Sequence, residues 1–521
     1  MSTASSVDAL RALVGEGRAG AAIDVFEAGW VDLWYTTEPA ALRSFLAELP
    51  ADRVSGIPSL RFVAVASGLT AGPGAWALVQ EAMAQVRRGH RSGEEVLLAQ
   101  LLAGHQHRAA GQFLQARLLL DGARYPSTVA GADGHVDPAL LAFFRLQYGI
   151  TALLGGDVAG ARSLLQAAYD AEGLHGSAAG RAYVGSHLAL VCAVAGELTA
   201  AQEHLVQAEE LAAGLGEVVT ATADALRLTR LILLVDRHAL PAAGRMARTR
   251  NPASYGVLWP LALWAHAQLL LLSGRHEPGL RLLARAEDAE PAAGDGIASE
   301  VARSVRADLH LARGNVREAW VAVEPGSARS PWSAVAEATV LYVSGEFETV
   351  RYAARVARAA HDLTVRESVR LRGLEAASCI ARGDDESALR HLGAIVEPAC
   401  RQGWRSVVSY LPRPLVALAL QEGRLPGALV EAAREESGMW LPGPALSAPL
   451  SPRERLVLRL LLEGVARAEA ADRLGVSINT VKTQLRSLYA KLGVTSRAEV
   501  LRKVALMPPD WTYDASDWTG M

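Results

Sequence analysis

Only three of the 521 residues are lysine, and all three lie close to the C-terminus, at Lys482, Lys491 and Lys503. Two of them belong to the stretch "VSINTVKTQLRSLYAKLGV" (476–494), which also holds Ser477, Asn479, Thr480, Thr483 and Arg486. Side chains of these types share one chemistry, the reading of a polyanion that displays hydrogen-bonding edges. Lys and Arg reach guanine O6 and N7, Thr meets the thymine methyl, and Asn, Ser and Thr suit phosphate oxygens. The charge balance points the same way. Residues 450–506 hold 11 Lys+Arg against 5 Asp+Glu, whereas the 449 residues before them hold 41 against 47. A small basic block on a mildly acidic body implies that the C-terminal end alone seeks a polyanion.

The same lysine distribution excludes several enzymes. A Walker A loop, a protein kinase and a pyridoxal enzyme each need a lysine that residues 1–481 do not contain. No HExxH, GxSxG or GxGxxG-after-strand pattern occurs. The reading is therefore not an enzyme, with no catalytic residue, cofactor or metal site. His105-Gln106-His107, the close histidine pair, reads as a solvated polar turn. Cys192, Cys379 and Cys400 are odd in number and widely spaced, with no disulfide framework, so a reducing cytoplasm is expected. The N-terminus "MSTASSVDALRALVGEG" lacks a basic segment followed by an apolar core, so no signal peptide is expected. The uncharged run from Asn251 to Gly274 contains Pro260, His266 and Gln268 and reads as a buried helix, with no membrane role.

The elements that carry the basic stretch begin at Leu450. "SPRERLVLRLLLEG" has Ser451 as N-cap, Pro452 at the first helical position and Glu454 in capping-box spacing, and Gly464 stops it. "RAEAADRL" is a short second helix closed by Gly475. Ser477 caps a third helix, from about Ile478 to Leu492, which Gly493 ends. Ser496 and Glu499 open a fourth, reaching about Leu506. In the third helix Val481, Leu485, Leu488 and Leu492 form one apolar stripe. At about 100° per residue the opposite face carries Asn479, Thr483, Arg486 and Ala490, with Lys482 on the flank. Two helices joined by a tight glycine turn, the second basic and polar outward, follow helix-turn-helix logic.

The rest of the chain is self-similar. "LLGGDVAGARSLLQAA", "AVAGELTAAQEHLVQA", "LLSGRHEPGLRLLARA", "LARGNVREAWVAVE", "ARGDDESALRHLGAIV" and "QEGRLPGALVEAA" each show an apolar helix end, a Gly, polar turn residues and a small residue five positions on. The glycines are Gly156, Gly196, Gly274, Gly314, Gly345, Gly383 and Gly423; Asp236 fills a gap, and Gly17 and Gly104 head weaker copies. A Gly in the left-handed conformation ends the first helix, and the small residue admits the second. Such a hairpin cannot bury its own apolar face, so copies must stack. With a period of about 40, these units resemble tetratricopeptide repeats, and in particular the longer, degenerate repeats of MalT-like regulators. Trp259, Trp264, Trp320 and Trp332 either line a ligand-binding concave face or fill gaps between helices.

"LSPRERLVLRLLLEGVARAEAADRLGVSINTVKTQLRSLYAKLGVTSRAEVL" (450–501) resembles the LuxR-type DNA-binding domain through Arg453, Glu454, Gly464, Glu469, Leu474, Ser477, Thr480, Val481, Lys482, Lys491, Leu492, Gly493, Val494 and Arg497. That resemblance implies base-facing roles for Lys482, Thr483 and Arg486. It implies backbone contacts from Ser477, Asn479, Thr480 and Lys491, and a homodimer through the last helix on double-stranded DNA. Three positions depart from the family. Ala466-Arg467 stands where the family has Ser-Asn, removing an N-cap worth about 1 kcal/mol. Ala470 stands where it has a buried Ile, a loss of about 2–4 kcal/mol unless neighbours repack. Gln484 replaces its usual His.

The expected architecture is thus all-α. An α-solenoid of tetratricopeptide-like hairpins (1–436) leads through a Pro/Gly-rich linker (437–449) to a four-helix head (450–506) and a tail (507–521). The expected function is a transcriptional regulator whose body senses a protein or small-molecule effector or drives oligomerisation. The alternative is a protein-interaction scaffold with a degenerate head.

Overall fold

The computed structural model describes residues 4–88, 92–121, 136–174, 176–215, 219–289, 296–323, 330–434, 441, 452–492, 496–497, 500–501 and 504. These residues are predominantly helical and contain no strand. They fall into two compact units, Met1–Ala267 with Leu282–Ala302, and Gln268–Arg281 with Arg303–Met521.

Within the first unit, helix Pro138–Leu154 packs on Val158–Tyr169, and Ala178–Ala195 packs on Leu198–Ala213. The first helix of the second pair also touches the second helix of the first pair, so the hairpins stack. In the second unit Pro331–Val343 pairs with Phe347–Ala360, and Val365–Ala381 pairs with Asp385–Gln402 in the same manner.

One turn generates these hairpins. At Gly196 (φ 84°) the Gly196 amide donates to the Ala193 carbonyl at 3.1 Å and the Glu197 amide to the Cys192 carbonyl at 2.9 Å. This pair of bonds closes a helix only if the residue between takes the left-handed conformation. The same pair recurs at Gly17, Gly156, Gly274, Gly314, Gly345, Gly383 and Gly423, all with positive φ. Five residues beyond the turn, Ala22, Ala161, Ala201, Ala319 and Ala388 are completely buried. The Gly345 copy carries a completely buried valine, Val350, at this position, and the other side chains here are small where the second helix crosses the first. At Gly279 even a Cβ would meet Leu309 Cδ2 at 2.7 Å.

Two positions of the repeat move by a few residues. Asp236 is the last residue of helix Thr220–Asp236, and the left-handed turn falls on His238 (φ 61°). Gly104 lies inside helix Gly93–Ala109, and Gly111 (φ 73°) makes the turn. Counting from these residues restores the rule, since Ala243 and Ala116 are buried completely. The rule fails at the last copy, where Ala428 is exposed and Leu425 and Leu429 face inward.

Other expectations are corrected by burial. Trp259, Trp264 and Trp332 are core residues, and half-buried Trp320 donates its indole N–H to Ser344 Oγ at 2.9 Å. The tryptophans therefore fill interhelical gaps. His105 and His107 sit on a helix, not a turn; His107 Nδ1 lies 2.7 Å from Gln112 Oε1 and its ring 4.8 Å from that of Trp76. Among the described residues no group of His, Cys, Asp and Glu is placed to hold a metal. Pro252–Leu272 and Ala178–Ala195 are long and apolar enough to cross a bilayer, and 83% and 89% of their windows lie buried inside the protein. The uncharged run in the sequence marks only the first of the two.

The left-handed turns give a sign test. Gly196→Ala forces an L-residue into that region and is expected to cost about 1–2 kcal/mol. His238→Gly removes such a residue and is expected to stabilise by about 0.5–1 kcal/mol. Thermal unfolding of the two variants should move Tm in opposite directions.

Candidate nucleic-acid interface

Three helices of the C-terminal domain are described: Pro452–Leu462, Arg467–Leu474 and Ile478–Leu492. Arg497, Val500, Leu501 and Val504 are helical as well. Ser451, Gly493, Val494, Glu499 and Lys503 lie outside the described residues, as do the tail 507–521 and all of the linker 437–449 except Leu441. Gly464 (φ 82°) ends the first helix and Gly475 (φ 62°) the second, by the same bond pair that turns the repeats.

The apolar stripe of the third helix is spent on the core. Val481, Leu485, Leu488 and Leu492 pack with Val457, Leu458, Leu461, Ala470, Ala471 and Val500. Burying that stripe fixes the rotation of the helix and leaves Asn479, Lys482, Thr483 and Arg486 exposed. Ser477 caps the helix as expected, its Oγ accepting from the Thr480 amide at 3.1 Å and lying 2.9 Å from Thr480 Oγ1. The Thr483 hydroxyl donates back to the Asn479 carbonyl at 3.0 Å. Among the described residues neither Lys482 nor Arg486 has a carboxylate partner, whereas Arg473 is flanked by Glu469 at 2.6 Å and Glu463 at 3.5 Å. The two uncompensated cations stand one helical turn apart on one exposed surface.

Lys491 is placed differently from the other expected contacts. Its Nζ donates to Glu454 Oε2 at 2.7 Å, and Ser487 Oγ donates to Glu454 Oε1 at 2.6 Å. The Glu454 side chain is 4% exposed and that of Lys491 27%. The carboxylate therefore ties the start of the first helix to the end of the third, a bond that capping-box spacing does not reveal. A buried carboxylate needs charge-assisted donors of this kind. Arg497, matched without an assigned role, donates through Nη2 to the Leu461 carbonyl at 3.2 Å and satisfies the C-terminal end of the first helix. Ala466 occupies the N-cap of the second helix with extended backbone and no side-chain cap bond, as its residue type requires. Ala470 is buried in the core at the position where its side chain is expected to leave space.

A short helix, a glycine corner and a longer helix with one buried and one basic polar face define a helix-turn-helix domain. Residues 448–504 match the family described as "Bacterial regulatory proteins, luxR family", and this C-terminal domain is a LuxR-type helix-turn-helix domain. It is 46% identical over 56 residues to the "Putative HTH-type transcriptional regulator Mb0914c" of Mycobacterium bovis. It is 40% identical over 57 residues to the "HTH-type transcriptional regulator MalT" of Yersinia pestis. Each match covers 11% of this chain and 6% of the relative, so the likeness concerns the domain alone.

The Glu454–Lys491 bond yields a measurable coupling. Lys491→Ala strands a buried carboxylate and is expected to cost about 1–3 kcal/mol, with Glu454→Ala in the same background adding less than it does alone. Hydrogen exchange of the Ile478–Leu492 amides should accelerate by about tenfold or more in the Lys491→Ala variant, and in the double variant by less than the product of the two single effects. Additive effects would mean that the two side chains act separately.

Proposed function

We propose that the chain is a sequence-specific DNA-binding transcription regulator. The observation that carries this reading is the outward face of helix Ile478–Leu492, where Asn479, Lys482, Thr483 and Arg486 are exposed opposite a fully buried stripe. In this reading Lys482, Thr483 and Arg486 address base edges in the major groove, and Ser477, Asn479 and Thr480 address the backbone. Lys491 supports the helix through Glu454 and offers its remaining protons to a phosphate. The protein works in the cytoplasm as a homodimer, joined through the helix that contains Val500, with Leu501 exposed on it. The helical-repeat body (1–436) is the sensor or oligomerisation part, joined to the head (450–506) by the linker 437–449.

A second reading, a protein-interaction scaffold with a non-binding head, is favoured by the uncapped second helix at Ala466. Lys482→Ala with Arg486→Ala separates the two. Both residues are exposed, so the fold should be unchanged. Each good base contact contributes about 1–3 kcal/mol, so the pair should weaken binding to a selected operator by about a hundredfold or more. Unchanged affinity in a fluorescence-anisotropy titration would favour the scaffold.

A further inference from the structure

One apolar side chain stands on the outward surface of the head beside its free cations. Ile478, the first residue of helix Ile478–Leu492, is 46% exposed. Among the described residues it is the one large apolar side chain of this helix that is exposed, since Val481, Leu485, Leu488 and Leu492 are all spent on the core.

The start of the helix is fastened without Ile478. Ser477 Oγ accepts from the Thr480 amide at 3.1 Å, which caps the helix. Val476 before the cap and Val481 in the first turn occupy the two positions of a hydrophobic staple, and both pack in the core of the head. A β-branched residue is a modest helix former, and at this first position it gains little burial. A polar side chain would serve the fold as well.

The neighbours of Ile478 define where it stands. Ile478, Lys482 and Arg486 are four residues apart, so they form one ridge along the helix, and all three are exposed. That ridge is apolar at its N-terminal end and cationic over the next two turns. From Ile478 to Lys482 the helix rises about 6 Å, which matches about two base steps of a duplex.

We propose that Ile478 is a specificity residue that packs on the 5-methyl group of a thymine, about one or two base pairs from the base that Lys482 addresses. This contact presupposes the DNA-binding reading given above. The N-terminal residues of a recognition helix reach base edges, and the apolar group displayed among the major-groove edges is the thymine methyl. An aliphatic side chain has no donor for a phosphate, so its chemistry suits a base and not the backbone.

The test uses full-length protein and the operator that it selects from random-sequence DNA. Each thymine in turn is replaced by deoxyuridine, which deletes the methyl and keeps the hydrogen-bonding edge. Affinity is read by fluorescence anisotropy at one fixed salt concentration. At one thymine position the wild type should lose about three- to tenfold, the effect of exposing one methyl group. Ile478→Ala should bind the intact operator more weakly by a similar factor and lose nothing further from deoxyuridine at that position. Deoxyuridine at other thymines should act equally on both proteins. Ile478→Val, which keeps the branched methyls, should restore most of the discrimination. Because the residue is exposed, Tm should be the same in all three proteins. An operator that binds with no deoxyuridine effect, or with the same effect in wild type and Ile478→Ala at every position, would overturn the thymine contact and leave the regulator reading standing. Failure to select any operator would overturn both.

Discussion

A helix that must reverse direction within a few residues has to expose or satisfy its last carbonyl groups, and the left-handed turn does so with two backbone bonds. This chain uses that turn throughout, at Gly17, Gly111, Gly156, Gly196 and onward to Gly423, and again at Gly464 and Gly475 in the head. The turn sets where the second helix begins, and the second helix then needs a small side chain at its crossing point. Ala161, Ala201 and Ala319 meet that need in the body with no exposed surface. In the head the same corner sets the angle between Arg467–Leu474 and Ile478–Leu492, and so determines which face of the latter is left to solvent.

Much of this was legible in residue types. Glycine at a fixed phase after an apolar helix end has a single backbone explanation, and seven such glycines turn as expected. The two misplaced copies show the limit of the method. His238 carries a left-handed conformation that its side chain disfavours, so no residue type announces it, and Gly104 is a helix-interior glycine that imitates a turn. The buried alanine five residues later is the better ruler, because packing fixes it more tightly than the turn residue. Similarly, four tryptophans in mid-chain gave no sign of which surface they occupy, since an indole suits a core gap and a ligand face equally well.

Of the four helices that period and capping predict in the head, the three described in full stand where expected with the expected face exposed, because an amphipathic stripe decides rotation without help from distant residues. The ion pair of Glu454 with Lys491 was not legible. It joins residues 37 apart, and a capping box for Glu454 and a phosphate contact for Lys491 account for the two residue types without it. Arg497 bonding back to Leu461 is of the same kind, a contact 36 residues away in sequence. Such bonds matter to the function proposed, since they hold a polar helix whose outward side makes no contact with the core. Glu463 and Glu469 are engaged with Arg473 and Glu454 with Lys491, and among the described residues Lys482 and Arg486 have no carboxylate partner.

The most direct test is a random-sequence DNA selection with the full-length protein, followed by titration of the winning site across salt. The account predicts a two-fold-symmetric sequence, with log affinity falling linearly against log salt as phosphate counterions are released. Failure of any sequence to enrich would contradict it.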